Sequence, residues 1–467
     1  MVRMAGRRIE SRRLSSLRDT FKGDLILPED DAYDAMRAVW NGMIDRRPAI
    51  VVQPLDTADV TTALRFARDE DLVIAVRSGG HSMAGLSTCD DGMVIDLGRM
   101  RGVTVDPDQR LARCNGGALL GELDDAAQAF GLACNVGTVS HTGIAGLTLG
   151  GGMGRVQRKL GLTIDCLRAV ELVTADGRLV RASDDENADL FWGMRGAGAN
   201  FGVVTAFDFG LAPIGPTITR GILVFPAERA RDVAAVYRDY MTTAPDDVMA
   251  ALNFGRASPD EGNPAVVACQ PVVTLSITHA GPTTAIERDL APFAALGPPA
   301  SGSVAQQTYL ESQHAFDDAN AWGHRVYTKS GMVGSLPDDL VDALVDHVAG
   351  SPPGEDVFSI WAFGGAVGRV PEEATAFQGR SAPYWVGTEC MWDDPADDQA
   401  HRTWARAGVG LLEPYRVAGG YVNDVSESGD VAQVRSVYGD AKYERLVALK
   451  RAWDPENVFR LNQNIQP

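Results

Sequence analysis

The residues able to do chemistry cluster in three short segments. The first is Arg77-Ser78-Gly79-Gly80-His81-Ser82. An apolar run ends there, and two glycines let the backbone turn and expose its N–H groups. Such a nest can cradle a pyrophosphate. His81 stands at its rim, although a loop histidine is most often a solvated or internally satisfied side chain. The second segment is Val139 to Gly154, VSHTGIAGLTLGGGMG. Of the 24 residues from Gly131 to Gly154, 8 are glycine, in a chain with 50. That density is expensive in chain entropy, so close approach of the backbone to a flat ligand is expected. A glycine-rich turn between sheet layers is the other reading. The third is Tyr421-Val422-Asn423-Asp424, which offers either a phenol for proton transfer or a structural tyrosine at a strand end.

Other chemistries lack their patterns. No Gly-Lys-Ser/Thr follows the glycine loop, so it is not a P-loop. The dinucleotide fingerprint needs glycine where Arg155 stands, and Gly196 to Gly202 is also off by one residue and follows a helix. Gly80-His81-Ser82-Met83-Ala84 lacks the second glycine of a nucleophile elbow. The 7 histidines form no HExxH, and the 6 cysteines form no CxxC pair. No metal site is expected. His141, inside the glycine loop, reads as a supporting residue.

The elements that must position these segments alternate in the first 210 residues. Strands are expected at 49–54, 72–77 and 93–97, with a helix starting near Thr57 as its N-cap. Hairpins are expected over 102–114 and over 167–182, the second turning at Ala175-Asp176-Gly177. Ala212-Pro213-Ile214-Gly215-Pro216 is a breaker cluster and a boundary. Residues 221–415 read as strands with helices on one face, with loops at 258–264 and 297–303. Tyr443 to Trp453 reads as an amphipathic helix stopped by Asp454-Pro455. The tail VFRLNQNI is expected to pack against an earlier domain.

The bulk numbers restrict the partners. With 467 residues, the chain exceeds one hydrophobic core. A net charge of -19 disfavours nucleic acid and anionic membranes as partners. No apolar run approaches a membrane span. Met1 to Arg18 carries six arginines and no apolar core, so it reads as a solvated arm rather than a secretory signal. Cysteines scattered among apolar residues imply no disulfide framework and a reducing, cytoplasmic setting. A monomer or homodimer is expected on base rates.

Taken in order, the segments RSGGHSMAGLS, DGMVIDL, VSHTGIAGLTLGGGMGRVQRKLGLTID, DLFWGMRGAGANFGVVTAF and YERLVALKRAWDPENVFRLNQNIQP resemble the berberine-bridge-enzyme-like family of FAD-linked oxidases. The resemblance spans nearly the whole chain and is closest to the bacterial enzymes of secondary metabolism. It implies the α+β fold of vanillyl-alcohol oxidase and p-cresol methylhydroxylase. Residues 1–210 and 418–467 would form a two-lobed FAD-binding domain, and 211–417 a substrate domain with an antiparallel sheet flanked by helices. It implies FAD bonded covalently to His81, with Arg77, Ser78, Gly79, Gly80 and Ser82 around the pyrophosphate. Thr142, Gly143, Gly146 and Leu147 would line the flavin, with Gly150, Gly151 and Gly152 close behind. Gly202 and Val204 would approach the adenine, and Asn462 the ring or ribityl chain. Many members carry a second, cysteinyl bond. Aligned on the GGGxG end, that position is Val139, and Cys134 lies five residues too early. A single attachment is therefore implied.

The resemblance also makes Tyr421 the catalytic base and Asn423 its support. A phenol needs help to ionise near neutrality, and Lys329 is the cation suggested for that role. The implied reaction is hydride transfer from a small alcohol or amine to the flavin, with O2 as final acceptor and hydrogen peroxide as product. The alternative is a flavin-dependent oxygenase or oxidative cyclase acting on a polyketide-like intermediate. A flavin carrier without turnover is the non-enzyme reading. Trp322, Tyr327, Trp361, Tyr384, Trp385 and Trp392 suggest an apolar or aromatic substrate, or plain core.

Overall fold

The computed structural model describes residues 9–258, 263–264, 267–427 and 431–467. The first eight residues of the arginine-bearing arm, and 259–262 of the expected 258–264 loop, lie outside the described residues. The arm continues as a helix, Ser11–Arg18.

Three large sheets organise the described residues, beside a two-stranded pairing of Leu132–Ala133 with Ala212–Pro213. The first is built from Asp24–Ile26, Ile50–Gln53, Met93–Asp96 and Ile74–Arg77 in that spatial order. Its last three strands are parallel. Parallel strands buried on both faces read as unbroken apolar runs, which Ile50, Val51 and Val52 satisfy at 0% exposure. The helix Thr57–Asp69 covers this sheet with Val60, Leu64 and Ala67. Its N-cap is Asp56 rather than Thr57, because the Asp56 carboxylate accepts from the Asp59 N–H at 3.0 Å. The second sheet is antiparallel, with Gly202–Gly210 between the hairpin Val103–Asp106/Leu111–Asn115 and the hairpin Leu167–Thr174/Leu179–Ser183. Both hairpins form where the turn residues place them.

The third sheet has eight antiparallel strands. Their order is Ser301–Thr308, Thr217–Pro226, Pro271–His279, Val248–Arg256, Val357–Ala362, Tyr384–Trp392, Arg325–Val333 and Arg416–Ala418. The expected 297–303 loop is shorter than its glycines and prolines suggest, since residues from Ser301 onward join the edge strand. Side chains alternate across a strand. One face of this sheet packs on the helices Ala230–Met241, Asp338–Ala349 and Asp398–Gly410. The other face looks into a large cavity.

Buried ionic and carbonyl contacts hold this sheet over the rest. Arg158, just after the glycine loop, donates to the carbonyls of Val248 (3.0 Å), Phe363 (2.6 Å) and Ala244 (2.9 Å). Arg380, 1% exposed, grips Asp165 with two bonds of 2.9 and 2.7 Å. Such a fork fixes orientation as well as distance. The last helix is Asp440–Trp453, one turn longer at its start than the apolar spacing indicates. The tail after it docks on the turn at Asn200, where Asn462 donates to the Ala199 carbonyl (2.8 Å) and the Asn200 amide accepts from the Ile465 N–H (2.9 Å). No helix among the described residues is long and apolar enough to cross a membrane.

Candidate active site

The three segments singled out above converge on one cavity of about 1310 Å³. That exceeds the usual drug-sized pocket, so a dinucleotide and a small substrate fit together. The strand Ile74–Arg77 delivers Ser78 to Ser82 to its wall. Gly80 has φ +74°, a conformation that favours glycine. Gly79 lies against Gly143 so closely that a Cβ on it would sit 2.2 Å from the Gly143 nitrogen. The two loops therefore meet backbone to backbone. Ser78 Oγ and Ser87 Oγ are buried without a hydrogen-bond partner, and both residues line the cavity. Orphaned donors of this kind suit a phosphate-bearing ligand.

Arg77 does not line this cavity. Its guanidinium pairs with Asp96 at 2.9 Å and donates to the carbonyls of Ala38 (3.0 Å) and Met36. Alternation along the strand turns Arg77 inward while the loop after it turns out, so it braces the nest rather than touching a ligand.

His81 Nε2 is 2.8 Å from His141 Nδ1. Its ring stacks on Trp40 at 4.7 Å and 17°, with the Trp322 edge at 6.3 Å. Burial, reinforced by the charge of His141, pushes the His81 imidazolium down to about 3, so the ring is neutral at working pH. With Nε2 engaged, Nδ1 is the ring nitrogen left without a hydrogen bond among the described residues.

Val139, Thr142, Gly143, Gly146, Leu147 and Gly150 line the same cavity, and so do Gly202, Val204 and Asn462. Gly151 and Gly152 lie behind the wall. They have φ of 137° and 85° and turn the chain back after the helix Ile144–Gly150. Their role falls to the backbone, because the Gly152 N–H donates to the Tyr421 hydroxyl at 2.8 Å. Cys134 is buried away from the cavity, whereas Val139 faces it.

Tyr421 and Asn423 share one turn. Asn423 Nδ2 donates to the Tyr421 oxygen (2.7 Å) and to the Leu147 carbonyl (3.1 Å). Two donors thus point at the phenol oxygen and would favour a phenolate. Burial opposes them, and the Asp424 charge adds to it, so the phenol lies above its ordinary range. The expected cation is absent from this place. Lys329 pairs with Glu427 at 3.4 Å. Its neighbour Thr328 faces the cavity, so strand alternation sends Lys329 to the opposite side. Tyr421 is therefore a protonated hydroxyl, able to donate toward the cavity.

Asp424 is the group that sequence reading overlooked. It lines the cavity and accepts from Trp385 Nε1 at 2.9 Å. Burial pushes its carboxyl up to about 7, against the hydrogen bonds from Ser330 and Trp385. A carboxyl half-ionised at neutral pH is suited to general acid–base work. Its only sequence signal is its place beside Asn423. Of the six aromatics expected near a substrate, Trp361 and Trp385 line the cavity. Tyr327, Tyr384 and Trp392 have the opposite strand parity and join the core under the helices. Trp322 stands beside His81, half exposed.

The chain is similar along nearly its whole length to known FAD-linked oxidoreductases. The chain matches the model of an FAD binding domain over residues 48–183 and that of the berberine and berberine-like family over residues 421–466. It is 31% identical to (R)-6-hydroxynicotine oxidase of Paenarthrobacter nicotinovorans, over 96% of this chain and 97% of that one. It is 31% identical to an FAD-linked oxidoreductase of Aspergillus terreus, covering 98% and 96%. The crystal structure of 6-hydroxy-D-nicotine oxidase from Arthrobacter nicotinovorans superposes with a TM-score of 0.85 at 30% identity, covering 96% and 98%. Xylooligosaccharide oxidase from Myceliophthora thermophila shares the fold, with a TM-score of 0.86 at 23% identity over 97% and 99%.

Proposed function

The chain belongs to the berberine-bridge-enzyme-like family of FAD-linked oxidoreductases, and from that membership we propose that it is an oxidase holding FAD covalently through His81 Nδ1. Its substrate is a small alcohol or amine, and O2 is the final acceptor, giving hydrogen peroxide. The observation that carries this reading is the neutral, cavity-facing imidazole of His81, desolvated between Trp40 and Trp322 and tethered at Nε2 to His141. A neutral ring nitrogen is the form able to make a bond to carbon.

Bound FAD would supply the two-electron acceptor, and the chain supplies binding and proton handling. The N–H groups and hydroxyls of Ser78 to Ser82 hold the pyrophosphate, braced by Arg77. Gly143, Gly146 and Leu147 present a flat wall, and a Cβ placed on Gly146 would meet open space beyond its own helix. The substrate heteroatom rests on the Tyr421 hydroxyl, which Gly152 and Asn423 hold in place. Asp424 takes the proton that the heteroatom releases. This moves the role of base from Tyr421 to its neighbour, because the neighbour titrates near neutrality and the phenol does not. Residues 1–210 and 418–467 serve the cofactor, and the sheet within 211–417 roofs the substrate.

The test is a visible spectrum after acid precipitation. The wild-type pellet is expected to stay yellow, and the His81→Ala pellet to lose its colour to the supernatant. A colourless wild-type pellet would overturn the covalent reading. A panel of alcohols and amines screened for peroxide release then finds the substrate.

A further inference from the structure

Two buried guanidinium groups in the cavity have no carboxylate in ion-pair range among the described residues. Arg155 follows the glycine loop directly, and Arg220 lies on the strand Thr217–Pro226 of the sheet roof. Both flank the same ring, with guanidinium carbons 4.8 and 4.9 Å from the centre of Phe316. Their exposures are 7% and 8%. Among the described residues Arg155 makes a single hydrogen bond, from Nε to the Ser312 carbonyl at 3.2 Å, and its Nη2 is buried with no partner. Arg220 makes none among the described residues, and neither arginine has a carboxylate in ion-pair range there.

The nearby acids are otherwise engaged. Asp317 accepts from the Ser140 N–H and hydroxyl and from His314. Asp124 accepts from Gln313, and burial pushes its carboxyl up to about 8, so it is protonated at neutral pH. Glu389 also faces the cavity, but at the far corner of the roof. Three strands separate its strand from that of Arg220, and it pairs with Val357 where Arg220 pairs with Thr278. The two arginines feel this isolation. Burial, aided by the repulsion from Arg220, pushes Arg155 down to about 9, and burial lowers Arg220 as well.

Leaving two cations dry and unpaired is among the more unfavourable arrangements a core can hold. A fold keeps it where a ligand supplies the missing charge. We propose that Arg155 and Arg220 form an anion-binding subsite for the substrate, so that the oxidised molecule carries a carboxylate or comparable oxyanion, with its apolar part lying along Phe316. Planar forks match carboxylates with two parallel bonds. The cofactor's own phosphates have a separate cradle at Ser78 to Ser82, whereas Arg220 stands on the roof. This subsite rests on the oxidase reading for its role and not for its chemistry.

Calorimetry on the FAD-loaded enzyme, with sodium benzoate and its neutral isostere benzamide as probes, tests it. Benzoate is expected to bind saturably, with benzamide weaker by about tenfold or more, the value of one charge-assisted hydrogen bond. Arg220→Met should weaken benzoate by about tenfold and leave benzamide unchanged. Arg220→Lys, which keeps the charge without the fork, should recover part of the loss. Equal affinities for the two probes, or an Arg220→Met variant that binds benzoate normally, would overturn the subsite. Loss of flavin from Arg220→Met would overturn the assignment to substrate and give the pair to the cofactor's phosphates. Benzoate preference without covalent flavin would leave the subsite standing while the His81 reading falls. Covalent flavin without benzoate preference does the reverse.

Discussion

Lys450 offers a quantitative check on how the C-terminal tail is held against the cavity. Its ammonium is fully buried and donates to the Asn200 carbonyl (2.8 Å), the Asp454 carboxylate (2.7 Å) and the Phe459 carbonyl (2.9 Å). Asp454, also fully buried, accepts from the Val458 and Phe459 N–H groups at 2.8 and 2.9 Å. One residue thus ties the last helix, the tail and the Asn200 turn together. Lys450→Met keeps the volume and removes all three bonds, leaving the carboxylate buried without its cation. Breaking one side of a buried pair costs about 3–5 kcal/mol. Unfolding entropy of about 2.1 cal/mol/K per residue makes 1 kcal/mol worth about 1 °C in a chain of this length, so Tm should fall by about 3–5 °C. Lys450→Met/Asp454→Asn should recover part of that, since no lone charge stays buried. Leu461, Asn462 and Gln463 of the same tail line the cavity, so a flavin-fluorescence melt should shift with the protein melt. A Tm change below about 1 °C would refute the buried hub, because no hydrogen-bonded charge in a dry site is that cheap to remove.

Two substitutions in the site have further expected outcomes. Gly143→Ala would place a Cβ 2.1 Å from the Gly79 nitrogen and 2.6 Å from Ser78 Oγ. The loops must part, and flavin per protein in the purified variant should drop by about tenfold, read from the visible spectrum. Asp424→Asn should remove the rise in kcat/KM through pH 7 and lower the rate by about 10²–10⁴ in a peroxide-release assay. The same carboxyl bears on stability. Its folded value of about 7 lies above the unfolded one, so the contribution of this group to stability is full below the ordinary carboxylate range and is lost as pH rises toward 7. The variant lacks this decline, and its Tm should exceed wild type above pH 7 and converge with it in acid.

The local syntax of the chain was enough to place most of its elements and the segments that line the cavity. Paired glycines at 79–80, the glycine loop from Val139 and the Tyr421 turn each carry their meaning in backbone freedom and short spacing. Those are properties of neighbouring residues. Hairpins at Val103–Asn115 and Leu167–Ser183 depend on turn chemistry in the same way. What needed tertiary structure was which way side chains point and what burial does to their charge. Strand parity sends Arg77 to Asp96, Lys329 to Glu427, and Tyr384 to the core while Trp385 faces the cavity. A single register step reverses each of these, and no local pattern fixes the register of strands distant in sequence. The Asp424 carboxyl is pushed up toward neutrality, and Arg155 and Arg220 form a buried cationic pair, only because residues far apart in the chain exclude water around them. Desolvation is a property of the assembled cavity, and its magnitude exists nowhere in the order of the residues.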